Sequence, residues 1–316
     1  MMRDVSPAAD PTSAVTILLA TFQGERFLRE QLRTITQQTH TSWSLLVSDD
    51  GSTDQTLRIL EEFSQTCGHA VDVLDGPRAG FLRNFMHLIA HAQSDSPYYA
   101  FCDQDDLWLP QKLEVAVNWL NSQPADVPLL YCARTRNVDQ YGYVTSYSPL
   151  FRRQPSFRNA LVQSIAGGNT MVFNRRMLML IRQLGTHHEL PSHDWWLYVI
   201  ATGTGGNVFY DSNPTVDYRQ HVSNQVGANS TLRAKLRRIA LLRRGRFKAW
   251  NDQHVEALNS CQDALLPQNQ TLFLAFKQMR SAPFPSNLKM LLSSGFYRQQ
   301  TLDTLGLFAA VLLRRL

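Results

Sequence analysis

The chain has 316 residues, 44% of them hydrophobic and 18% charged, a balance that permits a large buried core and excludes a disordered chain. The net charge of +5 hides an asymmetry: residues 1–225 hold 17 Lys and Arg against 22 Asp and Glu, whereas residues 226–316 hold 14 against 4. Four scattered cysteines (Cys67, Cys102, Cys132 and Cys261) without a CxxC pair argue against a disulfide framework and a structural zinc site, and suit a reducing cytosol.

The polar, Pro/Ala-rich stretch from Met1 to Ala14 has no apolar signal core, and no run approaches the roughly 18 apolar residues of a membrane span. Val15–Ala20 is a continuous apolar run, predicted as a buried first strand. Thr21-Phe-Gln-Gly24 turns out of it, and Phe27, Leu28, Leu32 and Ile35 follow at helical spacing within Glu25–Gln37. A second strand, Trp43–Ser48, ends in Asp49-Asp50-Gly51-Ser52-Thr53-Asp54. The Asp-Gly pair predicts a turn and a cap for the next helix that also presents a carboxylate. That helix, from Thr56 to Phe63, should bury Leu57, Leu60 and Phe63. Val71–Leu74 is a third strand, and Arg78 lies on the loop after it. The helix from Phe81 to Ala92 should turn Phe81, Phe85, Leu88 and Ile89 inward.

The fourth strand, around Tyr98–Cys102, runs directly into Asp103-Gln104-Asp105-Asp106-Leu107-Trp108-Leu109-Pro110. Four strand–helix alternations predict a parallel α/β sheet with right-handed crossovers. Open sheets of this kind bind ligands at the carboxyl edge of the strands. Two strands that end in acid therefore face one cleft. Three carboxylates within four residues repel one another, and the sequence sets no cation beside them. Hard oxygen donors suit Mg²⁺ or Mn²⁺ with substrate phosphates completing the shell. The plainer alternative is a solvated acidic turn ahead of the helix that starts near Pro110.

Leu113–Leu120 is predicted helical, Leu129–Cys132 a strand, and Asn137–Gly142 a hairpin turn. The pair Gly167-Gly168, followed by Asn169, leads into a strand and lets backbone approach a ligand or another chain closely. It lacks the spacing of a phosphate loop. His193-Asp194-Trp195-Trp196 opens a helix after Ser192, a candidate cap. Tyr210–Tyr218 is a last strand broken by Pro214, leading into Arg219-Gln220-His221. From Thr231, Leu232, Leu236, Ile239 and Leu242 form an apolar stripe among the basic residues between Arg233 and Lys248. The run Leu305–Leu313 precedes Arg314-Arg315.

Five segments, Leu19–Leu28, Ser48–Asp54, Phe101–Pro110, His193–Trp196 and Tyr218–His221, together resemble the signatures of family 2 inverting glycosyltransferases, in that family's order. The closer likeness is to bacterial rhamnosyltransferases. The resemblance implies a GT-A fold, Rossmann-like and mostly parallel with flanking helices, over residues 14–225. Apart from the resemblance, the +10 charge and apolar stripe of residues 226–316 predict a basic helical region that meets the membrane. The resemblance further implies that Thr21, Phe22 and Glu25 border the nucleotide base, that Asp50 (or Asp49) accepts its ring NH, and that Arg78 lies near base or diphosphate. Asp103 and Gln104 would lie near the donor, and Asp105 with His221 would hold Mg²⁺ or Mn²⁺. Arg219 would help neutralise the diphosphate. Asp194 matches the catalytic base, with Gly167, Gly168, Asn169 and Trp195 on the acceptor side.

The expected reaction moves a sugar from a nucleotide donor to a hydroxyl of a lipid-linked cell-surface glycan. L-Rhamnose from dTDP-L-rhamnose is the first choice, and UDP-glucose, UDP-galactose or UDP-N-acetylglucosamine the alternatives. The expected setting is cytoplasmic, peripheral on the inner face of a bacterial cytoplasmic membrane with anionic lipid. A nucleic-acid-binding reading of residues 231–248 is the rival of another class. The residues interleaved there are aliphatic rather than stacking aromatics, and the body is acidic, so no nucleic acid is expected.

Overall fold

The computed structural model describes residues 13–221 and 246–316. Nine strands form one sheet in the order β3-β2-β1-β4-β8-β6-β9-β5, with β7 paired to β6, among the described residues. The first half is parallel: β1 (Val15–Thr21), β2 (Trp43–Asp49), β3 (Val71–Asp75) and β4 (Tyr98–Asp103) run in one direction. Helices α1 (Leu28–Thr36), α2 (Thr56–Thr66) and α3 (Phe81–His91) join them. β1 and β4 carry near-continuous apolar runs because both faces are covered. Ile17 and Leu19 belong to one core cluster, whereas Leu18 belongs to the other.

The second half is mixed. β8 (Val172–Asn174) pairs antiparallel with both β4 and β6 (Leu129–Val138), which restores β6 to the direction of β4. β9 (Asn207–Arg219) then runs parallel to β6. The carboxyl ends of β1, β2, β3, β4, β6 and β9 therefore meet at one edge. β7 (Val144–Tyr147) completes a hairpin with β6, whose turn is tied by the Asp139 carboxylate accepting from the backbone NH of Tyr141 and Tyr143. Pro214 does not break β9. The register against β6 slips between Ala133 and Thr135, and the extra β9 residues bulge out there, which is where a strand tolerates proline. The two-residue β5 (Leu107–Trp108) folds the acidic loop back onto β9.

Two helices differ from the expected facing. Leu57 is 48% exposed, and α2 instead buries Ile59 and Leu60, because Thr56 at its start turns inward to accept from the Gly24 backbone NH at 2.8 Å. Phe81, 38% exposed, stands at the mouth of α3 while Phe85, Met86, Leu88 and Ile89 pack inside.

α4 (Lys112–Asn121), α5 (Phe157–Ala160), α6 (Arg175–Leu184) and α7 (His193–Gly203) complete the body. Among the described residues, four C-terminal helices follow: α8 (Arg246–Ser260), α9 (Pro267–Ser281), α10 (Ser286–Ser294) and α11 (Thr301–Leu312). Leu258, Phe273, Leu291 and Val311 join the same core cluster as Trp196 of α7 and Phe101 of β4. The stripe Leu232–Leu242 lies outside the described residues. No described helix is long and apolar enough to cross a membrane.

Candidate active site

The parallel register sets Thr21 beside Asp49, Asp49 beside Asp75, and Ala20 beside Asp103, so the strand ends form a row roughly 4.8 Å apart. The two loops nearest β1 and β2 are stitched together. Gln23, held at φ 50, accepts through its side-chain oxygen from the NH of Thr53 (3.3 Å) and Asp54 (3.2 Å). Glu25 accepts from the Gln55 NH at 3.1 Å. Gln104 clamps Phe22 from the acidic loop: its oxygen accepts the Phe22 NH and its nitrogen donates to the Phe22 carbonyl, both at 2.8 Å. The Phe22 ring is left 53% exposed on a fixed backbone. A flat apolar ring held this way is a stacking surface.

Asp49 and Asp50 differ in what they have left to offer. A carboxylate has about four acceptor positions. Asp49 uses four: Thr21 Oγ1 (2.8 Å), Ser52 Oγ (2.6 Å), and the backbone NH of Ser52 (2.7 Å) and Gly51 (3.2 Å). Asp50 uses two, on the NH of Ala79 (3.2 Å) and Gly80 (2.7 Å). Asp49 therefore closes its own loop and Asp50 retains acceptor capacity. Neither caps α2, whose N-cap residue, Gln55, has no side-chain cap bond. Asp54 serves there by accepting from the Thr56 NH at 3.0 Å. Arg78, at φ 55, lies over Gly51, where an added Cβ would approach its side chain to 3.1 Å.

The acidic loop does have a cation. Lys112, in the first turn of α4, is fully buried with its ammonium 4.1 Å over the Trp108 ring. Burial lowers its pKa to about 8, while Cys102, Asp106 and Asp103 pull the other way. Burial, then the charges of Asp105 and Asp194, push Asp103 up to about 7, opposed by Lys112. Burial, then the charges of Asp105 and Asp103, hold the Asp106 carboxyl well above the usual carboxylate range. It accepts from Asn169 Nδ2 and from the Arg219 NH (3.2 Å).

His221 meets Asp105 at 2.8 Å from Nε2 to Oδ2, and its ring lies 4.9 Å from Phe27. Among the described residues no three His, Cys, Asp or Glu side chains gather into a ready-made metal cage. Asp105 and His221, paired beside the raised Asp103, bring carboxylate oxygens and an imidazole together at the end of β4. Arg219 sits elsewhere than expected. It is 1% exposed, donates to the Asp105 carbonyl (3.0 Å), the Gln140 carbonyl (2.8 Å) and Glu30, and lies 4.6 Å over Phe27. It buttresses the acidic loop from beneath.

Asp194, in the first turn of α7, anchors the opposite wall. One oxygen accepts from Ser192 Oγ and from the Trp195 NH (2.6 Å); the other accepts the Gly168 NH (3.2 Å). Ser192 therefore bonds Asp194 rather than capping the helix. Gly168 is required here, because a Cβ would lie 2.3 Å from His193 Nε2. His193 is sandwiched at 3.9 Å on Phe85 and edge-on to Phe101 at 4.7 Å, and burial lowers its pKa to about 4. The segment Gly167–Asn169 thus straps both acids, Asp194 through Gly168 and Asp106 through Asn169. Trp195 turns away into the core, 6% exposed, donating from Nε1 to the Ala160 carbonyl at 2.7 Å.

Asp103, Asp105, Asp194, Gly168 and His221 are thus drawn to one edge, with Phe22, Gln104 and Asp50 along it. Lys112 escaped sequence reasoning. Its only signal was a lysine placed three residues after Leu109 in the apolar first turn of a helix.

The sequence model of the family described as "Glycosyl transferase family 2" matches residues 16–182. The chain is 30% identical to a dTDP-rhamnosyl transferase, RfbG, of Shigella flexneri, over 80% of this chain and 87% of that protein. In fold it is similar to S. aureus TarS solved with UDP-GlcNAc (TM-score 0.57, 14% identity, 89% of this chain and 79% of that one). It is also similar to a mannosyltransferase from Pyrobaculum calidifontis solved with GDP-Man and Mn²⁺ (TM-score 0.50, 18% identity, 99% and 88%).

Proposed function

Because the chain belongs to glycosyl transferase family 2 and is a glycosyltransferase of the GT-A fold, we propose that it transfers L-rhamnose from dTDP-L-rhamnose, with inversion, to a hydroxyl of a lipid-linked glycan at the cytoplasmic face of a bacterial membrane. The observation that carries the reaction is that Gly168 and Asn169, neighbours in the chain, bind Asp194 and Asp106 respectively, which sets Asp194 against the Asp103–Asp106 loop. The name of the 30%-identical relative supports the donor.

The thymine ring stacks on Phe22, and its ring NH donates to Asp50, whose oxygens keep unused acceptor positions; Thr21, Glu25 and Arg78 border the nucleotide. The diphosphate comes to the acidic loop, where Asp105 and His221 would hold Mg²⁺ or Mn²⁺. Such an ion supplies positive charge to the leaving nucleoside diphosphate. Asp194 takes the acceptor proton on the oxygen that faces Gly168, which has the fewer partners of the two. The acceptor oxygen attacks the anomeric carbon as its bond to the diphosphate breaks, and the nucleoside diphosphate leaves with the electron pair. One carboxylate base suffices for this displacement. Residues 14–225 supply the catalytic machinery, and residues 226–316 lie toward the membrane.

The test is a panel of dTDP-L-rhamnose, UDP-glucose, UDP-galactose and UDP-N-acetylglucosamine, each with Mn²⁺, Mg²⁺ or EDTA. A donor at 100 times its Kd stabilises the fold by about 2.7 kcal/mol, enough to raise the melting temperature by several degrees. The expected result is the largest shift, and the fastest release of nucleoside diphosphate, with dTDP-L-rhamnose. A larger response to a UDP-sugar would replace the donor, and no response to any nucleotide sugar would remove the reading.

A further inference from the structure

The last described helix has an apolar face turned to solvent. In α11, Leu302 is 76% exposed, Leu305 60% and Leu312 48%, and Leu313 just beyond is 62% exposed; Ala309 is exposed between them. At 100° per residue these positions fall within an arc of about 100° that holds no charged residue. The opposite side, Leu307, Ala310 and Val311, is buried in the core. Scattered exposed leucines are ordinary, but a whole helical face of them marks a contact surface. The helix is not frayed from the body. Asn287 Nδ2 donates to the Val311 carbonyl at 3.1 Å, and Arg280 Nε donates to the carbonyl of the buried Leu316 at 3.0 Å. That anchoring leaves Arg314 and Arg315 exposed at the end of the apolar face.

Charge decides what covers it. Residues 282–316 carry four basic residues, Lys289, Arg298, Arg314 and Arg315, against one acid, Asp303. Arg314 and Arg315 stand at the end of this face, so a symmetric contact with a second copy would bring four arginines to one interface, whereas an anionic surface attracts them. From Leu302 to Leu313 the helix rises about 16 Å, short of the roughly 30 Å hydrocarbon core, so such a segment lies in the interface plane. We propose that the Leu302–Leu305–Ala309–Leu312–Leu313 face of α11, flanked by Arg314 and Arg315, is a docking surface for an anionic lipid bilayer. The proposal rests on the membrane-side reading above for its setting, but the surface itself is drawn from exposure and charge alone.

The experiment sediments the full chain with vesicles of phosphatidylcholine alone or mixed with phosphatidylglycerol. Binding to the mixed vesicles should exceed binding to the neutral ones at least ten-fold and fall in high salt. Leu302→Ser/Leu305→Ser/Leu312→Ser should lower it ten-fold or more, with melting temperature and donor hydrolysis unchanged. Leu302→Ser and Leu305→Ser singly, each retaining the fold, should lower it by smaller factors. Arg314→Gln/Arg315→Gln should weaken binding to the mixed vesicles by about five-fold per charge. Equal binding to both vesicles, no binding, or unchanged binding in the leucine variants overturns the proposal. So does sedimentation velocity that shows a dimer abolished by the leucine variants without vesicle binding. The assay reads binding without turnover, so its failure leaves the transfer reaction standing.

Discussion

Replacing Asp194 with Asn removes a charge and a proton acceptor but keeps the shape. The structure sets what this costs the fold. The amide oxygen can stay where Ser192 Oγ and the Trp195 NH already donate. The amide NH₂ must then face the Gly168 NH, donor against donor, where an acceptor stood at 3.2 Å. One unmade backbone hydrogen bond is worth about 1–3 kcal/mol, which lowers the melting temperature by a few degrees. Loss of a general base costs about 10²–10⁴-fold in rate, or about 3–5 kcal/mol of barrier. Donor affinity should hold, because the proposed nucleotide site lies at the ends of β1 and β2 and on the acidic loop, away from α7. The assay is a three-way measurement: donor Kd by calorimetry, single-turnover transfer at saturating donor, and melting temperature. Transfer should collapse while Kd stays within a few-fold and the melt shifts only slightly. A fall in rate of less than ten-fold would refute the assignment. So would donor affinity and rate falling together with a large loss of melting temperature, since Asp194 would then hold the strap rather than a proton.

Gly168→Ala should abolish transfer and destabilise the fold by about 1–3 kcal/mol, because its Cβ meets His193 at 2.3 Å; a fully active, equally stable variant would contradict the strap. Asp105→Ala should remove metal-dependent donor binding, seen as loss of the difference between Mn²⁺ and EDTA in the thermal-shift assay; a difference of wild-type size would take Asp105 out of the metal's shell. Lys112→Met withdraws the charge that holds Asp103 and Asp106 down. Asp103 then deprotonates only at higher pH, so the acid limb of the pH–rate profile should move upward, and an unmoved limb would show that Lys112 is only packing. His193 and His254 are buried, with pKa lowered by that burial to about 4 and about 3. Above an unfolded value of about 6.5 both states are neutral and nothing is lost. As pH falls below 6.5 the unfolded chain takes up protons that the folded one refuses, until about pH 3–4. The loss for His193 alone is about 3 kcal/mol. Denaturant melts between pH 7 and 4 should show stability falling, and His254→Phe should flatten part of that slope; a flat profile in the parent chain would refute it.

The features legible in the order of residues are local ones. The apolar runs Val15–Ala20 and Tyr98–Cys102 are buried on both faces, and a strand covered on both faces leaves no polar alternation to misread. A parallel sheet puts its strand ends on one edge, so two acidic strand ends in sequence became one acidic edge in space. The hairpin at Asp139–Gly142 and the helix opening at His193 were legible for the same reason, since turns and helix starts are written within a few residues.

Tertiary structure decided everything that depends on which side chain reaches which. Asp49 and Asp50 are neighbours of identical chemistry, and only the loop hydrogen bonds show that one is saturated and the other is not. Arg219 and Trp195 belong to segments that look functional, yet one lies beneath the acidic loop and the other in the core, where the Asp105, Gln140 and Ala160 carbonyls take their hydrogen bonds. Lys112, six residues past Asp106, carries the counter-charge that the sequence hid. A buried lysine is costly enough that composition argues against expecting one. Gly168 was noticed as a glycine, but only the stacked His193 behind it explains why no side chain fits. Exposure is likewise a property of packing. The apolar end of the chain was visible in the sequence, but only its docking through Leu307, Ala310 and Val311 shows which leucines remain outside.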